Sequence, residues 1–156
     1  MNRFADYFSN YVNDDTITYI GNGDITSFTV SRQDRELAVG LNLESFIDYG
    51  IIENSQNQIA RAMELKKVHI NPRFPKSEFS LDNIERILEY VRHESPAANG
   101  FFDGCEAELE DRTLTLCLKK GGKDVLESQK VDRAIANKIY ELFDLDFVVI
   151  FLEVQA

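Results

Sequence analysis

The sequence predicts an α+β protein built from two small α/β lobes, on the strength of three observations. Apolar residues alternate with period two in Leu37, Val39, Leu41 and Leu43, and again in Leu114, Leu116 and Leu118, as half-buried strands require. They recur at helical spacing in Leu81, Ile84, Leu88 and Val91, and in Val131, Ile135, Ile139 and Leu142 or Phe143. Midway, the stretch Asn71-Pro72-Arg73-Phe74-Pro75-Lys76 holds two prolines, which restrict the residues before them and end regular structure. The expected division is therefore residues 1–75, an N-terminal α+β lobe, and residues 76–156, a second α+β lobe.

The elements follow in order. Phe4, Tyr7, Phe8 and Tyr11 fall at spacings that share one helical face. That face reads either as a core-facing stripe or as a helix that docks on a partner, since a terminal amphipathic helix serves both. After Asn22-Gly23-Asp24 two strands are expected, Ile25 to Ser31 and Glu36 to Leu43, joined by the polar turn Arg32 to Arg35. A helix starts between Phe46 and Ile52 and runs to about Leu65, with Ile52, Ile59, Ala62 and Met63 on its apolar face. A short strand, Lys67 to Asn71, turns Val68 and Ile70 inward.

In the second half Ser80 is a suitable N-cap for the helix that begins near Leu81. Cys105, Ala107 and Leu109 alternate before Glu110-Asp111-Arg112, which makes a hairpin with the Leu114–Leu118 strand. Lys119-Lys120-Gly121-Gly122-Lys123 is a turn, followed by one helix of about twenty residues. The apolar run Asp146 to Glu153 reads as a central strand. The two halves show no convincing sequence repeat.

Composition narrows the function classes. The chain has 156 residues, 44% of them hydrophobic, enough for a core rather than a disordered chain. Its formal net charge is −10, with 7 basic and 10 acidic side chains up to residue 75 and 10 and 17 beyond it. Neither half is the basic footprint that neutralises a phosphate backbone. The first ten residues lack the apolar core of a signal peptide, and the longest apolar run, Phe147 to Leu152, is six residues, far short of a membrane span. A soluble, cytoplasmic chain with no membrane association is expected.

Catalytic and metal chemistry find little to work with. His69 and His93 lie in no HExxH pattern, and the two cysteines, Cys105 and Cys117, have no second pair to complete a zinc site. They read as reduced, partly buried small hydrophobes. No GxSxG elbow and no Walker A sequence is present. Asp14-Asp15, Glu106 with Glu108, and Asp144 with Asp146 are carboxylate pairs that so acidic a composition produces without a catalytic role. No cofactor is expected. The residues suited to nucleic acid are Lys119, Lys120 and Lys123, with Phe101 or Phe102 stacking on bases, and any contact with DNA through them would be weak.

Six stretches carry a family resemblance. They are the opening helix, the Ile25-Thr26-Ser27-Phe28-Thr29-Val30 and Glu36-Leu37-Ala38-Val39-Gly40-Leu41 strands, and the helix leading into Lys67-Val68-His69-Ile70. In the second half they are Leu109-Glu110-Asp111-Arg112-Thr113-Leu114-Thr115-Leu116, and the long helix before Asp146-Phe147-Val148-Val149-Ile150. In these the chain resembles the N-terminal region of the PolC-type DNA polymerase III alpha subunit, the replicative polymerase of low-GC Gram-positive bacteria. The resemblance implies a chain that precedes the catalytic domains of a DNA-directed DNA polymerase with 3′–5′ exonuclease and is not itself an enzyme. It implies that the first lobe is a polymerase-binding module associated with the clamp-loader tau subunit, and that the second is a type II KH-like domain. Nucleic-acid-binding KH domains clamp four nucleotides with a GxxG loop, whereas this sequence offers only adjacent Gly121-Gly122. The expected role is thus a protein-interaction module, whose partners are tau and the rest of the parent polymerase. The alternative is a single-stranded nucleic-acid-binding accessory domain.

Overall fold

The computed structural model describes residues 2–98 and 100–153. The chain divides into two compact units, Met1–Glu78 and Phe79–Ala156. The break falls after the proline stretch and a single 3-10 turn, Lys76–Glu78.

In the first unit, α1 (Phe4–Phe8) is a single short helix whose Phe4 and Phe8 rings lie 4.8 Å apart inside the core. A second helix, α2 (Asp14–Ile20), was absent from the sequence reading. Its signal is local: Asn13 accepts a hydrogen bond from Thr16 N at 2.9 Å, and Asp14 and Asp15 sit where the helix dipole favours negative charge. Only Thr16 and Ile20 of this helix are buried, too few to make an apolar period.

Strands β1 (Asp24–Ser31) and β2 (Glu36–Asn42) form an antiparallel hairpin in which Phe28 faces Val39 and Val30 faces Leu37. Gly40 is required by close approach, because a Cβ there would meet Ser27 Oγ at 2.4 Å and Thr26 Oγ1 at 2.7 Å. Helix α3 (Tyr49–Ala62) carries the chain back to β3 (Lys67–Arg73), which pairs parallel with β2. Ile52 and Ile59 of α3 are buried, but Ala62 and Met63 are not, because the helix stops at Ala62. Nor does β3 end at Asn71. It continues through Pro72, which a strand tolerates at a sheet edge where no N–H is needed.

The second unit opens with a 3-10 turn, Leu81–Asn83, capped by Ser80, whose hydroxyl accepts from Asp82 N. Helix α4 (Ile84–Arg92) follows and buries Ile84, Ile87, Leu88, Tyr90 and Val91. Strands β4 (Glu106–Glu110) and β5 (Thr113–Leu118) form the expected hairpin, and Leu114, Leu116 and Leu118 all point into the core.

Two expectations fail here. The twenty-residue helix is two helices, α5 (Lys123–Ser128) and α6 (Val131–Phe143), broken where Lys130 adopts a left-handed conformation with φ of 58°. In one continuous helix Leu126 would point about 180° away from Ile135; the break lets both be fully buried. The final strand, β6 (Val148–Glu153), is not central. It pairs parallel with β5 alone, in a sheet ordered β4-β5-β6. Its side chains alternate between faces: Val148, Ile150 and Leu152 are exposed, at 60%, 41% and 48%, while Val149 and Phe151 face the core.

The two units share a plan that residue identities do not reveal. Each begins with helical segments, folds an antiparallel hairpin, and returns through helix to a third strand parallel to the second. Parallel neighbours cannot be joined by a tight turn, so the helical return is obligatory in both.

Gly122, which precedes α5, holds φ of +92°, and a Cβ there would lie 2.2 Å from the Phe101 ring. Gly122→Ala is expected to destabilise the protein by about 2 kcal/mol through combined backbone strain and overpacking, read as a lower urea midpoint with unchanged slope.

Candidate partner-binding surfaces

The aromatic face predicted for the first helix divides in two. Phe4 and Phe8, four residues apart, are core and unavailable to a partner. Tyr7 is half exposed, and Tyr11 lies beyond the end of α1 in the turn that follows, where its N–H donates to Phe8 O at 2.9 Å. A helix of five residues cannot carry a four-member stripe, so the expected common face does not exist.

What Tyr7 does join is β1. The Tyr7 and Phe28 ring centroids are 6.5 Å apart, and Phe28 lies 6.2 Å from Phe8 and nearly parallel to it. Phe28 and Val30, on the edge strand of this sheet, are each about half exposed. The result is an apolar patch of Tyr7, Phe28 and Val30 anchored from beneath by Phe8. Sequence reasoning missed Phe28 and Val30 because strand periodicity does not tell an edge strand from an internal one.

The residues suited to nucleic acid are brought near one another but are already engaged. Lys119 Nζ lies 3.1 Å from Glu106 Oε1, Lys120 Nζ 3.2 Å from Asp103 Oδ2, and Lys123 Nζ 3.9 Å from Glu127 Oε1. Phe102 is buried with its ring 6.0 Å from Phe151, so it cannot stack on a base. Phe101 is half-buried and lies against Gly122. At the start of α5 Lys123 N donates to Glu153 Oε1 at 2.8 Å, so the protein's own carboxylate takes that backbone donor. A phosphate chain would compete for these donors with four carboxylates, Glu106, Asp103, Glu127 and Glu153.

No group of three or more His, Cys, Asp or Glu able to hold a metal exists among the described residues. His69 is exposed on β3, and His93 terminates α4. Cys105 and Cys117 are free thiols. Burial pushes the Cys105 thiol up, with Glu85 and Cys117 adding to the effect against Arg92, which disfavours its thiolate. Among the described residues no helix is long and apolar enough to cross a membrane.

With the geometry in place, comparison with known proteins adds no relative. No family model matches the sequence. Nor does any curated protein match it.

On α6 the Lys138 side chain is 12% exposed. Its ammonium lies 2.6 Å from Glu94 Oε1 and 2.9 Å from Glu141 Oε2, which ties α6 to the segment after α4. Burial alone would lower the Lys138 pKa, but the hydrogen bonds and charges of Glu94 and Glu141 outweigh it and raise the pKa above the usual lysine range. The sign follows from linkage: a raised folded pKa stabilises fully below the unfolded lysine value of about 10.4 and loses that stabilisation as pH rises through the folded pKa. Both glutamates are well exposed, which limits the contribution. Lys138→Met is expected to cost about 1 kcal/mol at neutral pH, and its stability difference from the parent should shrink in urea melts above about pH 10.4.

Proposed function

We propose that this chain is a non-catalytic protein-interaction module, the N-terminal part of a bacterial replicative DNA polymerase, and that it contacts the clamp-loader tau subunit. The polymerase and exonuclease activities belong, in this reading, to other domains of the parent protein. The observation that carries the interaction reading is the exposed Tyr7–Phe28–Val30 patch. Aromatic anchors set on a rigid support are the residues that dominate protein interfaces, and tyrosine is prominent among them. Here the rigid support is Phe8, packed under Phe28 and fully inside the core.

The resemblance to the PolC-type N-terminal region supplies the parent enzyme and the partner. It also supplies the reading of the second unit as a KH-like shell used for protein contact. In support of protein rather than nucleic-acid contact there, the connection between α5 and α6 is Gln129-Lys130 without a GxxG sequence, and the nearby lysines are paired with carboxylates. The net charge of −10 weighs the same way.

Titration of the purified tau subunit against the full chain tests the proposal. Saturable binding is expected, weakened at least about tenfold by Tyr7→Ala together with Phe28→Ala. Both side chains are half exposed, so the double variant should keep its circular dichroism and most of its thermal stability. No binding to tau, or binding indifferent to the two substitutions, would reject the proposed contact.

A further inference from the structure

Four strands form the outer edges of the two sheets, β1 and β3 in one, β4 and β6 in the other. Edge strands invite pairing with another chain, and proteins usually block them with charge, proline or a covering group. The start of β1 is bridged by Arg3, and Ile25 N there donates to Asn2 O at 2.7 Å. Strand β4 is short and carries Glu106, Glu108 and Glu110.

The comparison between β3 and β6 is the informative one, because they hold equivalent places in the shared plan. Arg73 O accepts from Leu43 N, so the odd-numbered residues of β3 turn their backbone groups toward β2 and the even-numbered ones toward the open side. On that open side Ile70 N donates to the Gln56 side chain of α3 at 2.9 Å, and Pro72 has no N–H at all. The first unit's edge is closed at both of these positions.

In β6 the same logic gives the opposite result. Val148 N donates to Arg112 O at 2.8 Å, so Val148, Ile150 and Leu152 turn their backbone groups toward β5. Val149 and Phe151 then present N–H and C=O on the open side, and among the described residues no hydrogen bond to these groups is found. Val148–Leu152 holds neither lysine nor proline. Beside it runs an open groove of ≈ 310 Å³, walled by Lys123, Glu127 and Asp132 and floored by residues 149–152.

We infer that β6 is a strand-addition site for an extended partner segment of alternating apolar and basic residues. Side chains of an added strand lie on the same face as their neighbours across the ladder. Positions beside Val148, Ile150 and Leu152 would extend an exposed apolar row. The alternate positions would enter the groove, where lysine or arginine can lay an aliphatic stem along residues 149–152 and reach Glu127 and Asp132. Lys123 does not oppose this, since its ammonium already faces Glu127 and its N–H is taken by Glu153. A second copy of this chain fits less well, because it would bring another −10 of charge to the same edge. Main-chain hydrogen bonds would hold the segment and the alternation would select it. This surface belongs to the second unit and is independent of the tau contact proposed for the first.

The test is amide NMR of the full chain with a synthetic peptide of four Lys-Val repeats. Two controls are a Glu-Val repeat and a block peptide of four Lys followed by four Val. The alternating basic peptide should shift the Val149 and Phe151 amides and slow their hydrogen exchange, and both controls should bind at least about tenfold more weakly. Ile150→Lys, at an exposed position outside the core, should weaken the alternating peptide by a similar factor without altering the free spectrum elsewhere. Unchanged Val149 and Phe151 amides at peptide concentrations on the order of 1 mM would overturn the inference. Equal binding by all three peptides would overturn it too. Concentration-dependent protection of these amides without peptide, with a dimer in sedimentation, would replace the basic segment with a second copy.

Discussion

Parallel pairing of β2 with β3, and of β5 with β6, governs each unit of this protein. A parallel neighbour can only be reached by a crossover, and the crossover supplies the helices that cover one face of the sheet: α3 in the first unit, α5 and α6 in the second. The core follows from that layer. Val39 and Ile70 are buried neighbours in the sheet of one unit, and Leu114 with Val149 and Leu116 with Phe151 in that of the other, where α6 buries Ile135 and Ile139. Everything on the uncovered face, or at the end of the strand order, must answer to water or to a partner.

How each unit answers differs by a few atoms. In the first, a single glutamine on the crossover helix reaches the open edge and takes the Ile70 amide, and a proline removes the next donor. In the second, α5 and α6 place Glu127 and Asp132 near β6 without reaching its backbone, and carboxylate side chains could not in any case accept and donate at once. One topology therefore yields a third strand closed at Ile70 and Pro72 in one unit and left open at Val149 and Phe151 in the other. Exposed apolar residues gather accordingly, around Tyr7 and Phe28 on one unit and along β6 on the other.

Much of the fold was legible because its elements are periodic. Leu114, Leu116 and Leu118 announce β5, Val131, Ile135 and Ile139 announce α6, and the polar turns between strands fix the hairpins. Helix α2 escaped because two buried residues make no period, although Asn13 before Asp14-Asp15 is a readable cap. The break at Lys130 escaped because a left-handed lysine carries no mark in sequence. The place of β6 in its sheet escaped for a deeper reason: an apolar run reports burial averaged over both faces, not how many strands flank it. Sites fared worse than elements. The lysines near Gly121-Gly122 looked free because their carboxylate partners, Glu106 and Asp103, are distant in sequence. Phe102 looked available because nothing local shows that Phe151 lies beside it.

The same strand order has a consequence during synthesis. In each unit the hairpin leaves the ribosome before the crossover and the third strand last, so β5 is complete about thirty residues before β6 begins to emerge. At ordinary translation speeds that interval is on the order of seconds, long compared with the microseconds in which a hairpin forms. Through it, Leu114, Leu116 and Leu118 stand on a nascent strand with one side unpaired and its helical cover not yet made. The interval is longer for the second unit than for the first, whose crossover is shorter by a helix.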